Sequence, residues 1–265
     1  MVDLRGQVAL VTGGTRGLGL ALGQALARQG MHIVVTHRWG SVSDIELNAA
    51  YSAAGLPPPL LKEADVINPD DTQELLDTIF ERFGRLDIFI SNVCIAGRGS
   101  DFDGLRFRDL RQSLDYSVWP TQQYLTQVEA RFGKLPRVTI GMSSDGPDHY
   151  YPGYDYVAAS KAALEALIAA LAPEIGSKGG RIFGLRTRQV DTQSLAQIFS
   201  PEIHALLTQR FERFRVAATD MGDAAVALCG GLLDGLHGQV LCADKGAAFH
   251  DNFIATLPLW QELHT

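Results

Sequence analysis

The chain has 265 residues and a formal charge of −7. That length suits one large α/β domain or at most two small ones, and the acidic balance (pI about 5.5) argues against nucleic acid as the main partner. Apolar residues at 46% against 20% charged leave ample material for a core. In chain order, β-branched runs predict strands at 7–12, 32–36, 59–65, 86–91, 137–142, 181–186 and 238–243. Helical patterns fall between them, roughly at 17–29, 43–54, 70–83, 106–132, 156–175 and 220–234. Such alternation predicts a doubly wound α/β fold: one domain, 1–265, with about seven parallel strands and helices on both faces. LPPPL (56–60) reads as a loop rather than a linker. The stretch 187–218, with a helical pattern around 201–214, fits the alternation poorly and reads as an insertion over one edge. The tail 247–265 carries Phe249, Phe253, Ile254, Leu257, Leu259 and Trp260, so it is expected to pack on the body or on a neighbouring subunit. Cys94, Cys229 and Cys242 are widely spaced and read as buried small hydrophobes in a reducing compartment. No leader pattern precedes the first strand, and no apolar run reaches the ~18 residues of a bilayer span, so a cytoplasmic protein with no membrane partner is expected.

TGGTRGLG (12–19) follows the first strand and opens a helix. Gly13 permits the tight turn, and Gly17 and Gly19 clear space where backbone must approach a phosphate. The helix N-terminus adds amide donors and positive potential. Gly13, Thr15, Arg16, Gly17, Leu18 and Gly19 are therefore candidate dinucleotide-binding residues, and the fold is expected to be Rossmann-type. A free adenosine ribose would call for Asp or Glu at the end of the second strand. This chain has His37 and Arg38 there, with Arg16 nearby, and those donors suit a 2′-phosphate. NADPH/NADP+ is the expected cofactor; the alternative is that Arg38 is a solvated surface residue.

On these residues the chain resembles the short-chain dehydrogenase/reductase superfamily over about 5–246. Thr12, Gly13, Gly17 and Gly19 match its TGxxxGxG, Asp65-Val66 the pair beside the adenine, Asn92 part of the strand-four motif, and GQVLCADKG (238–246) the closing strand, with Lys245 in place of a glycine. The resemblance implies catalysis by a Ser, a Tyr and a Lys, the Tyr usually four residues before the Lys. Val157 holds that position before Lys161 and has no proton to give. Residues seven apart on a helix return to within about 20° of one face, which points to Tyr154; Tyr156 is rotated about 140° away. Asp155 is expected to cap the helix and leave Tyr154 at its bend.

A Tyr-x6-Lys spacing marks the enoyl-[acyl-carrier-protein] reductases of this superfamily, and YDYVAASKAALEAL resembles their NADPH-using branch. The resemblance implies that Tyr154, Lys161 and Ser144 are catalytic and that Asp65, Val66, Asn92, Lys161, Val190 and Thr192 contact the cofactor, with no metal. Ser143 adjoins Ser144. Three departures stand out. Ser117 replaces the relay asparagine, Pro120 should kink the helix, and Thr187-Arg188 replaces a Pro-Gly pair. Arg188 is open to two roles, binding an anionic substrate group or facing solvent. The function implied is NADPH-dependent reduction of an enoyl thioester carried by acyl carrier protein or coenzyme A. The alternatives are a ketoreductase or hydroxyl dehydrogenase working through Tyr154 or Tyr156, and a non-catalytic NADP-binding protein. Superfamily members pair through long helices, so a homotetramer is expected, with a dimer as fallback. Arg210, Arg213 and Arg215 beside Leu206, Leu207, Phe211 and Phe214 are expected to form a basic rim over an apolar slot for an acidic carrier protein, or a solvated arginine face.

Overall fold

A computed structural model describes residues 2–38, 42–95, 102–188 and 215–248, with positions 190, 205, 209 and 212. Thr192, most of the helical pattern around 201–214, with Arg210 and Arg213, and the tail beyond 248 lie outside the described residues.

Seven strands form one sheet among the described residues: β1 (Val8–Val11), β2 (His32–His37), β3 (Leu60–Glu63), β4 (Ile88–Ser91), β5 (Val138–Ser144), β6 (Arg181–Thr187) and β7 (Val240–Ala243). They run in the order β3-β2-β1-β4-β5-β6-β7, and the neighbouring pairs are all parallel. A parallel sheet covered on both faces wants unbroken apolar strands. VALV in β1 and IFIS in β4 are buried at every position.

Helices α1 (Gly17–Arg28), α2 (Asp44–Ala53), α3 (Pro69–Phe83), α4 (Phe107–Ser117), α5 (Trp119–Phe132), α6 (Asp155–Ser177) and α7 (Ala218–Cys229) fill the connections. One core cluster joins Leu22 and Leu26 of α1 to Met221 and Leu228 of α7; the other joins Leu75, Ile79, Tyr124, Leu164 and Ile168 on the opposite face. The helix expected over 106–132 is two helices. Val118 separates them and Pro120 sits in the first turn of the second, where its missing N–H costs nothing.

By length and composition alone α6 is long and apolar enough to cross a bilayer. In the fold its Leu164, Ile168 and Ile175 pack in the core, and its small exposed residues raise the mean hydropathy. The cysteine expectation needs correcting: Cys229 is buried, but Cys94 and Cys242 are exposed.

The strand order reverses between β1 and β4. The carboxyl ends of β1, β2, β4, β5 and β6 all open on one edge, the usual ligand side of such a sheet.

Candidate active site

The β1–α1 turn is shaped for a phosphate. Gly13 adopts φ +62°, a left-handed conformation that favours glycine. A Cβ on Gly19 would stand 2.3 Å from the Gly13 carbonyl oxygen and 2.7 Å from Asn92 Nδ2, so only glycine fits that approach. α1 starts without a side-chain cap and without an acid in its first turn, which leaves its N-terminal donors for an anion. Thr15 is buried, Leu18 half-buried and Arg16 exposed at the N-cap. Asn92 braces the turn from β4: its amide nitrogen donates to the carbonyls of Thr12 (2.9 Å) and Gly13 (3.3 Å). These residues fit a dinucleotide pyrophosphate.

At the end of β2, Nδ1 of His37 is buried with no hydrogen-bond partner among the described residues, which fits a polar ligand group there. Arg38 is not a free surface arginine. Its Nε lies 3.1 Å from Asp65 Oδ2, its Nη1 donates to the Tyr116 hydroxyl, and its guanidinium sits over the Tyr116 ring. The Tyr116 hydroxyl also reaches Asp65 Oδ2 at 3.1 Å. Tyr116 was missed in the sequence, because it lies 78 residues from Arg38 and no local pattern links them. Val66 is buried beside Asp65.

The four tyrosines of 150–156 go to four places. Tyr150 is exposed. Tyr151 donates its hydroxyl to Asp145 Oδ2 at 2.6 Å. The Tyr156 hydroxyl accepts the main-chain N–H of Arg106 at 2.6 Å. Tyr154 hydrogen-bonds the Ser144 side chain. Desolvation pushes the Tyr154 phenol well above its ordinary value, against the Ser144 bond, which lowers it. α6 begins one residue earlier than a capping Asp155 would require. Tyr154 itself is the N-cap, because its carbonyl already accepts the helical N–H of Ala158 at 2.8 Å.

Lys161 is buried and donates to the carbonyl of Met142 at 2.8 Å, two residues before Ser144 on β5. Tyr154 and Lys161 therefore both reach the end of one strand. Ser143 turns away: its hydroxyl donates to Glu165 Oε1 at 2.6 Å. Ser117 is buried and donates to the Cys94 sulfur at 3.3 Å, and Cys94 lies close enough to Tyr154 to raise its pKa.

Arg188 does not face solvent. Its side chain is 6% exposed and pairs with the equally buried Asp145 at 3.1 Å. Val190 is buried and pairs with Val216 in a parallel bridge. Lys245 adopts a left-handed φ (51°), the conformation that favours glycine, and pairs with Asp220 at 2.9 Å.

A glycine cradle at a parallel-sheet switch point, with Ser, Tyr and Lys converging on the next strand, defines a nicotinamide-type oxidoreductase. Residues 13–248 match the family model described as enoyl-(acyl carrier protein) reductase, and the chain belongs to that family of the short-chain dehydrogenase/reductase superfamily. Among its relatives is the NADH-dependent enoyl-[acyl-carrier-protein] reductase FabI of Nostoc sp., 28% identical over 93% of this chain and 98% of that one. Another is 3beta-hydroxysteroid dehydrogenase 1 of Eggerthella lenta, 27% identical over 95% of this chain and 97% of that one. A crystal structure of a short-chain dehydrogenase from Burkholderia cenocepacia with NADP superposes with a TM-score of 0.78 at 25% identity, covering 93% of this chain and 100% of that one.

Proposed function

We propose that this chain reduces the carbon–carbon double bond of an enoyl thioester, with NADPH as the preferred cofactor. The observation that carries the reading is the partition of the tyrosines. Tyr154, seven residues before Lys161, is hydrogen-bonded to Ser144, while Tyr156 is held by Arg106. The family match supports the same reaction class. His37, Arg38 and Arg16 favour a phosphorylated ribose, although the FabI relative uses NADH.

Gly13, Gly17, Gly19 and the start of α1 would hold the pyrophosphate, and Lys161 the nicotinamide ribose. When bound, the reduced nicotinamide supplies hydride. Tyr154 remains protonated at neutral pH and donates a hydrogen bond to the thioester oxygen as negative charge builds there. Ser144 orients the Tyr154 hydroxyl and is placed to share the same oxygen. Lys161, fixed by the Met142 carbonyl, adds positive charge beneath them.

A second reading rests on the hydroxysteroid dehydrogenase relative. A Ser–Tyr pair of this kind would equally hold a ketone oxygen, and Tyr154 would then protonate it. The deciding experiment mixes the protein with NADPH or NADH and, separately, crotonyl-coenzyme A, a 3-ketoacyl thioester and a 3-ketosteroid. Oxidation of NADPH by the enoyl thioester supports the proposal. Turnover of a ketone alone gives the second reading, and cofactor binding without turnover of any of them gives a non-catalytic binder.

The assembly proposed is a homotetramer paired through α4–α5 and α6. It is favoured by Phe107 and Trp119, which are 78% and 56% exposed on α4 and α5. Monomers in light scattering at micromolar concentration would overturn it. Delivery by an acyl carrier protein is proposed through the basic segment around Arg215. Arg210→Glu with Arg213→Glu should raise KM for a carrier-bound substrate far more than for the free thioester, and equal responses would remove the carrier from the account.

A further inference from the structure

Two ion pairs that the chemistry above does not use clasp the loop leading to Tyr154. Arg186 and Arg188 stand two apart at the end of β6, so their side chains leave on the same side. Arg186 Nη1 reaches Asp148 Oδ2, and its Nη2 lies 3.1 Å from Glu165 Oε2. Arg188 Nε lies 3.1 Å from Asp145 Oδ2 and 3.3 Å from the Tyr151 hydroxyl. The sheet register sets this up. Ser143 is paired with Arg186 and Ser144 with Thr187, which leaves Asp145 and Arg188 next in step beyond the strands.

Asp145 organises the loop around itself. Its carboxylate accepts the Tyr151 hydroxyl at 2.6 Å. Its carbonyl accepts the N–H groups of Asp148 and His149 at 3.0 and 3.1 Å. The Tyr151 ring then meets the Tyr154 ring edge-on, centroids 5.8 Å apart, and the Tyr151 carbonyl accepts the Tyr154 N–H at 3.1 Å. An unbroken path of contacts runs from Arg188 through Asp145 and Tyr151 to Tyr154, and Asp145 is bonded directly to Ser144.

A buried ion pair is a poor source of net stability, because desolvation offsets the attraction. Desolvation dominates here: it holds the Asp145 carboxyl above the usual carboxylate range despite the Tyr151 hydrogen bond and the Arg188 charge. The pair is better explained by what it fixes.

We propose that the Asp145–Arg188 pair, bridged by Tyr151, is a positioning device that sets where the Tyr154 hydroxyl stands relative to Ser144. The inference rests on the reading of Tyr154 as the catalytic hydroxyl. Hydrogen-bond geometry at a reacting oxygen tolerates little error, and a displacement of about 1 Å costs up to about a hundredfold in rate.

Tyr151→Phe is the main test, because it keeps the ring against Tyr154 and removes only the bridge. In protein labelled with carbon-13 at the tyrosine ζ carbons, the Tyr154 signal, assigned by its loss in Tyr154→Phe, should shift or split in Tyr151→Phe at unchanged Tm. Turnover of the best substrate should fall about ten- to a hundredfold, with NADPH Kd and substrate KM held within about twofold. Asp145→Asn and Arg188→Met should each be worse than the two combined, which leave no buried charge unpaired. An unmoved Tyr154 signal with unchanged kcat in Tyr151→Phe would overturn the inference. If the single charge variants do not fold, Tyr151→Phe still decides. If no substrate is turned over by the wild type, the functional reading fails while the carbon-13 signal continues to judge this one.

Discussion

Arg38 and Asp65 face each other across the ends of β2 and β3, Nε to Oδ2 at 3.1 Å, with the Tyr116 hydroxyl touching both. The pairing orients the guanidinium but also sets a carboxylate in competition with any phosphate that it meets. If Arg38 grips a 2′-phosphate, Arg38→Ala should weaken NADPH by about 1.5–3 kcal/mol and leave NADH nearly unchanged. Fluorescence titration of both cofactors measures this. An equal loss for the two would mean that Arg38 serves only to hold Asp65 and Tyr116.

Gly146 lies against the Cδ1–Cε1 side of the Tyr154 ring. A Cβ built there would stand 2.7 Å from Tyr154 Cε1 and 3.2 Å from the Ala158 Cα. The helix backbone cannot retreat, so the ring must move. Gly146→Ala should lower kcat about ten- to a hundredfold and leave NADPH affinity within about twofold. Full activity in this variant would show that the Tyr154 position is not critical.

Where the sequence was legible, the determining physics is local. VALV and IFIS are buried on both faces and read as continuous apolar runs. Asn68, Pro69 and Gly84 mark the start and stop of α3: the asparagine caps, the proline opens and the glycine closes at φ +65°. Pro120 announced the break after Ser117, although the sequence suggested a kink rather than two helices. The helix repeat put Tyr154 on the side of Lys161, and both reach the end of β5. What escaped depends on contacts far apart in the chain. The Arg188–Asp145 pair requires the β5–β6 register, and the hold of Tyr116 on Arg38 spans 78 residues. Cys94 looks like a core residue by type, yet the end of β4 delivers it to the open edge of the sheet.

The thiols should separate by environment. Burial pushes Cys229 up to about 12, and burial with the nearby Asp244 carboxylate pushes Cys242 up to about 11. Since the thiolate is the reactive form, iodoacetamide at about pH 8 should label exposed Cys94 first, Cys242 slowly and Cys229 only on unfolding. Cys94 is near Tyr154, so its labelling should block turnover, and saturating cofactor with substrate should protect it. Peptide mapping by mass spectrometry resolves the order. Labelling of Cys229 as fast as Cys94 in the folded protein would contradict the packing of α7.

The Tyr154 phenol gives a pH prediction that needs no substrate. Its folded-state pKa is raised above the ordinary value of 10.0, with desolvation as the largest cause. A raised value means that the folded state keeps the proton which the unfolded chain would release. The associated stability is complete below about pH 10 and is lost as pH climbs towards the folded value. The difference in near-ultraviolet phenolate absorbance between wild type and Tyr154→Phe should therefore stay close to zero through pH 10. Urea unfolding should show wild-type stability declining above that pH more steeply than in Tyr154→Phe. Tyr51 is buried and raised for the same reason, so a residual alkaline slope in the variant is expected. A phenolate that forms in the folded wild type near neutral pH and vanishes in Tyr154→Phe would reverse the assignment. Tyr154 would then meet the substrate as a base rather than as the hydrogen-bond donor that enoyl reduction requires.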